Sequence, residues 1–136
     1  MKSRDAVSRL KRFEVDEKRR KVVEIETMIG EFNQRAADLD RQIAIEQDRA
    51  GVSDTNHYAY PTFAKAAIQR RDNLHASAAD LEARLASARE VLAEAVEELK
   101  KFELLEERDA ERIKLEQARA AELDVVAANV HHRVAS

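Results

Sequence analysis

This 136-residue chain contains no cysteine, which rules out a disulfide framework, a thiolate nucleophile and a thiolate zinc site. Tryptophan is absent too, and aromatics make up only 4% of residues, too few large side chains to fill a globular core from every direction. With two glycines in all, no glycine-rich phosphate loop can form, so the chain has no means of holding a nucleotide for hydrolysis. No apolar run approaches the roughly 18–20 residues that span a bilayer. The opening "MKSRDAVSRLKRFEV" lacks the unbroken apolar core of a signal peptide. These absences predict a soluble, cytoplasmic protein with no direct membrane insertion.

What remains is charge and helix formers. Charged residues reach 38%, against a typical share of roughly 25%. Ala, Glu, Lys, Leu and Arg dominate, the composition of long helices or a coiled coil. The net charge of −3 is modest, but its distribution is uneven. Residues 1–21 carry nine Lys or Arg against four acids, and the run Lys18-Arg19-Arg20-Lys21 concentrates that excess. Such a segment is either a solvated helix face or a contact for an anionic partner.

Hydrophobic spacing sets the fold class. Val22, Ile25, Ile29, Phe32, Ala36, Leu39 and Ile43 step by alternating threes and fours, as does the longer run Leu74, Ala78, Leu81, Leu85, Ala88, Leu92, Ala95, Leu99 and Phe102. A weaker continuation passes through Ile113, Ala120, Leu123, Ala127 and Val130. Between the seams lie Gly51, Ser53, Asp54, Thr55, Asn56 and Pro61, with Gly51 placed as a helix stop and Pro61 as a residue of the next first turn. Gly30, inside the first seam, is either a tolerated defect or a point of close packing.

The pattern predicts an all-α protein: two long helices forming an antiparallel coiled-coil hairpin, the second helix longer. Residues 1–136 then make a single hairpin, with arm one at about 4–50, the bend at about 51–61 and arm two at about 62–130. In that register Leu10 faces Leu104, and Val7, Leu10 and Phe13 are spent on the seam. Residues beyond Ile113 are left without a partner in the chain, and the basic opening lies at the same pole as this tail, opposite the bend. The bend also holds three of the six aromatics, Tyr58, Tyr60 and Phe63. Tyr58 or Tyr60 would seal the seam, and Phe63 with the exposed face Ala67–Arg70 would form a docking patch.

No catalytic, cofactor-binding or metal constellation is legible. His57, His75, His131 and His132 include no i, i+4 pair, and the adjacent two point about 100° apart on a helix. Hydroxyls have no base at a recognisable spacing. No aromatics interleave with the basic run, and acidic arms repel phosphate, so nucleic-acid or membrane-surface binding ranks last among the readings. The expectation is a non-enzyme without cofactor or metal.

The opening "SRDAVSRLKRFEVDEKRRKVVEIETMI", the turn "HYAYPTFAKAAIQRR" and the late "EELKKFELLEERDAER" resemble the FliJ family of the bacterial flagellar type III export apparatus, alphaproteobacterial members in particular. The resemblance runs over nearly the whole chain, and its most specific parts are the Tyr60-x-x-Phe63 pair and "RLKRFEVDEKRRK". It implies a non-enzymatic stalk seated in a hexameric flagellar export ATPase and coupled to the cytoplasmic domain of an export-gate membrane protein. It also implies a role in escorting export chaperones and a peripheral location at the cytoplasmic face of the inner membrane. The family's gate contact aligns with Phe63, Ala67, Arg70 and Leu74. Only Phe63 keeps its residue type there: Ala67 replaces a larger apolar residue, Arg70 a small one and Leu74 a histidine. For the ATPase ring, the expected contacts are Lys18, Arg19, Arg20 and Lys21 with Leu123 and Val130 of the tail. The competing reading is a generic coiled-coil adaptor or chaperone that holds a partner helix along its C-terminal tail.

Overall fold

The computed structural model describes residues 2–135, which form two α-helices and no strand. Helix α1 spans Lys2–Ala50 and helix α2 spans Thr62–Ala135, 49 and 74 residues. The second helix is therefore the longer. Two compact units divide the chain: Phe13–Ala95, and Met1–Arg12 together with Val96–Ser136.

In the unit 13–95, one stripe of each helix is buried. On α1 the buried positions are Val15, Val22, Ile25, Ile29, Ala36 and Ile43, with Phe32 and Leu39 half-buried. On α2 they are Ala64, Ala67, Ala78, Leu81 and Leu85, with Leu74, Ala88, Leu92 and Ala95 half-buried. The steps of three and four keep these side chains on one face of a 3.6-residue helix. Val22, Ile25 and Ile29 form one core cluster with Leu81 and Leu85, joined by Phe32, Ala88 and Leu92. Outside that stripe the helices meet through ion pairs, Arg71 with Asp40 at 2.9 Å and Arg89 with Glu26 at 3.8 Å.

Residues 51–61 make the connection. Gly51 adopts φ +67°, the left-handed conformation that ends a helix, and its N–H donates to the Gln47 carbonyl at 2.9 Å. Asp54 then caps a tight turn, its carboxylate accepting from the Asn56 N–H at 3.0 Å and its carbonyl from the His57 N–H at 3.1 Å. Pro61 stands one residue before α2 rather than inside its first turn. Its carbonyl accepts the first helical hydrogen bond, from the Lys65 N–H at 3.1 Å.

The unit of 1–12 with 96–136 is poorer in apolar contact. Its seam carries Ser8, buried, and Lys11, Leu99, Phe102, Glu106, Asp109 and Ile113, half-buried. Lys11 lies over the Phe102 ring, 5.8 Å from its centroid, and Arg4 pairs with Asp109 at 2.6 Å. The expectation that Val7, Leu10 and Phe13 fill the seam opposite Leu104 is corrected here: all four are exposed, Leu10 at 56%. The cause is helical phase. Counting back from Val22 by threes and fours reaches Val15, Lys11 and Ser8, which turns Leu10 and Phe13 outward.

Beyond Ile113 every described side chain of α2 is exposed, Leu123 and Val130 included. Gly30 is exposed as well, with nothing within 4 Å of an added Cβ, so the close-packing reading of that glycine falls away. The two glycines therefore predict opposite responses to alanine. Gly30→Ala should stabilise the fold by about 1 kcal/mol, whereas Gly51→Ala should cost about 1 kcal/mol because Ala resists φ +67°. Urea unfolding followed by helical circular dichroism measures both. Equal effects of the same sign would contradict the assignment.

Candidate interaction surfaces

The turn sorts its aromatics by role. Tyr60 is buried and its hydroxyl accepts a hydrogen bond from Gln47 Nε2 at 2.9 Å, so it is Tyr60, not Tyr58, that closes this end of the seam. Tyr58 is 95% exposed and stacks on His57 with ring centroids 4.6 Å apart. The His57 ring is oriented by its Nδ1, which accepts from the Ala59 N–H at 3.0 Å. Phe63, one residue into α2, is 52% exposed.

The four positions that the sequence resemblance singles out, Phe63, Ala67, Arg70 and Leu74, separate in the same way. Phe63 and Arg70 are exposed and lie seven residues apart, on one face of α2. Leu74 is half-buried. Ala67 is only 2% exposed, which corrects its placement on an exposed face: its methyl group sits in the buried stripe with Ala64 and Ala78 and is out of a partner's reach. Arg71, the neighbour of Arg70, is committed to structure. It donates to Asp40 at 2.9 Å and to Asp72 at 3.1 Å. The bond to Asp40, then that to Asp72, raises its pKa further above the ordinary arginine value, against a small desolvation. A group raised in this direction lends its stability below its unfolded pKa and loses it only as pH climbs through the folded one, so the contact holds across the whole neutral range.

An open groove of about 500 Å³ crosses the two helices within this unit. Leu39 and Leu74 form its apolar part, Arg35 and Asp38 edge it on α1, and Arg70, Asn73 and Ser77 edge it on α2.

The basic run is exposed, but most of its charge is answered locally. Arg19 pairs with Asp16 at 3.7 Å, Arg20 with Glu17 at 2.8 Å and Lys21 with Glu24 at 3.8 Å, each within one turn of α1. Exposed pairs of this kind are worth about 0–1 kcal/mol, so they yield readily to a stronger anion. Lys18 to Lys21 belong to the unit 13–95, while Leu123 and Val130 belong to the other unit. On the tail, Leu123, Val126, Val130 and Val134 step by three and four along one exposed apolar face.

Among the described residues, no group of three or more His, Asp or Glu could hold a metal ion, and no helix is long and apolar enough to cross a membrane. No family model, no curated protein and no solved structure matches this chain.

The two tyrosines provide a direct check on the roles assigned here. Tyr60→Phe removes one part-buried hydrogen bond and should cost about 0.5–1.5 kcal/mol. Tyr58→Ala should stay within about 0.5 kcal/mol of the parent. Chemical denaturation of the two variants side by side decides it, and a larger loss at Tyr58 would reverse the roles.

Proposed function

We propose that the two helices form an antiparallel coiled-coil hairpin, and that the chain is a non-enzymatic stalk and coupling component of the bacterial flagellar type III export apparatus. It would seat in the export ATPase ring, engage the cytoplasmic domain of the export gate and escort export chaperones. The antiparallel reading is supported by the order of cross-helix partners. In the unit 13–95, Gln47 meets Tyr60, Asp40 meets Arg71 and Glu26 meets Arg89. In the other unit, Arg12 meets Glu103 and Arg4 meets Asp109. Partner numbers rise on one helix as they fall on the other, which is the order of a chain folded back on itself.

One observation carries the coupling role: exposed apolar side chains occur singly along both helices, Phe63 after the turn among them, but on the tail Leu123, Val126, Val130 and Val134 line up as a continuous exposed stripe. Soluble proteins seldom leave an apolar helical stripe uncovered unless a partner covers it. The resemblance of the turn and of the basic opening to FliJ sequences supplies the partners' names: the hexameric ATPase for the basic run and tail, the export gate for the region of Phe63. A second reading, a coiled-coil adaptor or chaperone with a partner helix on its tail, draws on the tail observation alone, where Leu123 is 68% exposed.

Purified partners separate the two. Leu123→Glu with Val130→Glu, or Arg19→Glu with Arg20→Glu, should weaken binding to the export ATPase by about tenfold or more and leave gate binding intact. Phe63→Ala should do the reverse. Absence of any binding to either partner by the parent chain would remove the export reading and leave the adaptor reading in place.

A further inference from the structure

The groove across Leu39 and Leu74 carries more information than its shape. Its two arginines, Arg35 and Arg70, are exposed, and neither makes an ion pair or hydrogen bond among the described residues. Asp38, the carboxylate at the edge, is already engaged on its own helix: it accepts from Arg41 and, at 3.3 Å, from Gln34. The contrast with Arg71 is instructive, since that guanidinium is held by two carboxylates one residue further on. The groove thus presents an apolar floor between two uncompensated guanidinium forks. A guanidinium fork matches a carboxylate through two parallel N–H···O bonds, a match that a lysine cannot reproduce.

Length and direction add a second constraint. Phe63, Arg70 and Ser77 recur every seven residues and so form a nearly straight row along α2, about 21 Å long at 1.5 Å per residue. Phe63 continues that row past the groove towards the turn. A ligand lying along it would meet an aromatic side chain, then an arginine, then an aliphatic depression. An amphipathic helix of about 14 residues has that reach, with anchors at i, i+3, i+4 and i+7.

We propose that this groove docks an acidic amphipathic segment of a partner protein, its carboxylates held by Arg35 and Arg70 and an aliphatic side chain seated on Leu39 and Leu74. The charge of the rim selects this occupant: with Asp38 answered by Arg41, the unanswered charges on the edge are both cationic, beside the neutral Asn73 and Ser77. The inference rests on the reading in which this stretch faces the export gate, and it adds the chemistry by which the segment is chosen.

The experiment uses the full chain and two probes. One is a fluorescein-labelled helical peptide of about 14 residues with Leu on one face and Glu beside it, set against its Glu→Gln counterpart; the other is the purified cytoplasmic domain of the export gate. At about 50 mM NaCl the Glu peptide should bind at least about tenfold more tightly than the Gln peptide, and the preference should shrink at about 300 mM. Arg35→Glu with Arg70→Glu should erase the preference and lower gate-domain affinity by a similar factor. Both arginines are exposed and unpaired, so helicity and melting midpoint should not move. Equal binding of the two peptides, no binding of either, or an unchanged Glu-peptide affinity in the double variant overturns the proposal. A gate domain that binds the parent and the double variant alike also overturns it, while leaving the export reading standing. A gate domain that ignores the parent chain while the peptide preference holds removes the export reading and keeps the groove chemistry. Concentration-dependent dimerisation of the parent that the double variant abolishes would assign the groove to a second copy of the chain and sink the proposal.

Discussion

Contact between Val22, Ile25 and Ile29 on α1 and Leu81 and Leu85 on α2 is the constraint from which the rest of the structure follows. Two helices can cover each other along only one stripe, and among the described residues no third element lies over this one. Among the described residues no large side chain is completely buried. Stability must therefore accumulate along the seam a layer at a time. An interior with one row of layers has no outer layer that could relax into a cavity.

Side-chain size varies along that seam with a purpose. Branched residues fill its middle, while nearer the turn Ala36, Ala64, Ala67 and Ala78 are buried together with Ile43. Alanine lets two backbones approach, and the flanking residues then take over the burial. Tyr60 does this at the turn, where its ring is buried and its hydroxyl is tied to Gln47. Leu39 and Leu74 line the groove, where they remain half-buried.

The helical phase and the break were open to inspection in the amino-acid order. The positions from Val22 to Ile43 and from Leu74 to Phe102 are all buried or half-buried, and α1 ends one residue before Gly51. Val7, Leu10 and Phe13 are spaced by threes as seam residues are, but the phase set by Val22 places Ser8 and Lys11 inward instead. Ala67 follows the same rule: Ala66, Gln69 and Arg70 are exposed, but Ala67 lies three residues from Ala64, in the buried stripe that also holds Ala78. The groove was beyond reach altogether. It joins residues 35–39 to residues 70–77, and whether Arg70 or Arg71 stays free depends on which one comes within 2.9 Å of Asp40.

With no tryptophan in the chain, its near-ultraviolet emission comes from two phenols separated by a single residue. One is fixed against Gln47 in a dry setting, and the other lies in solvent against an imidazole ring. The turn is thus a built-in optical gauge. Tyr60 responds when the strap between the helices loosens, and Tyr58 responds when something settles on the outside of it, so tightening and occupancy of this corner can be followed without attaching a dye.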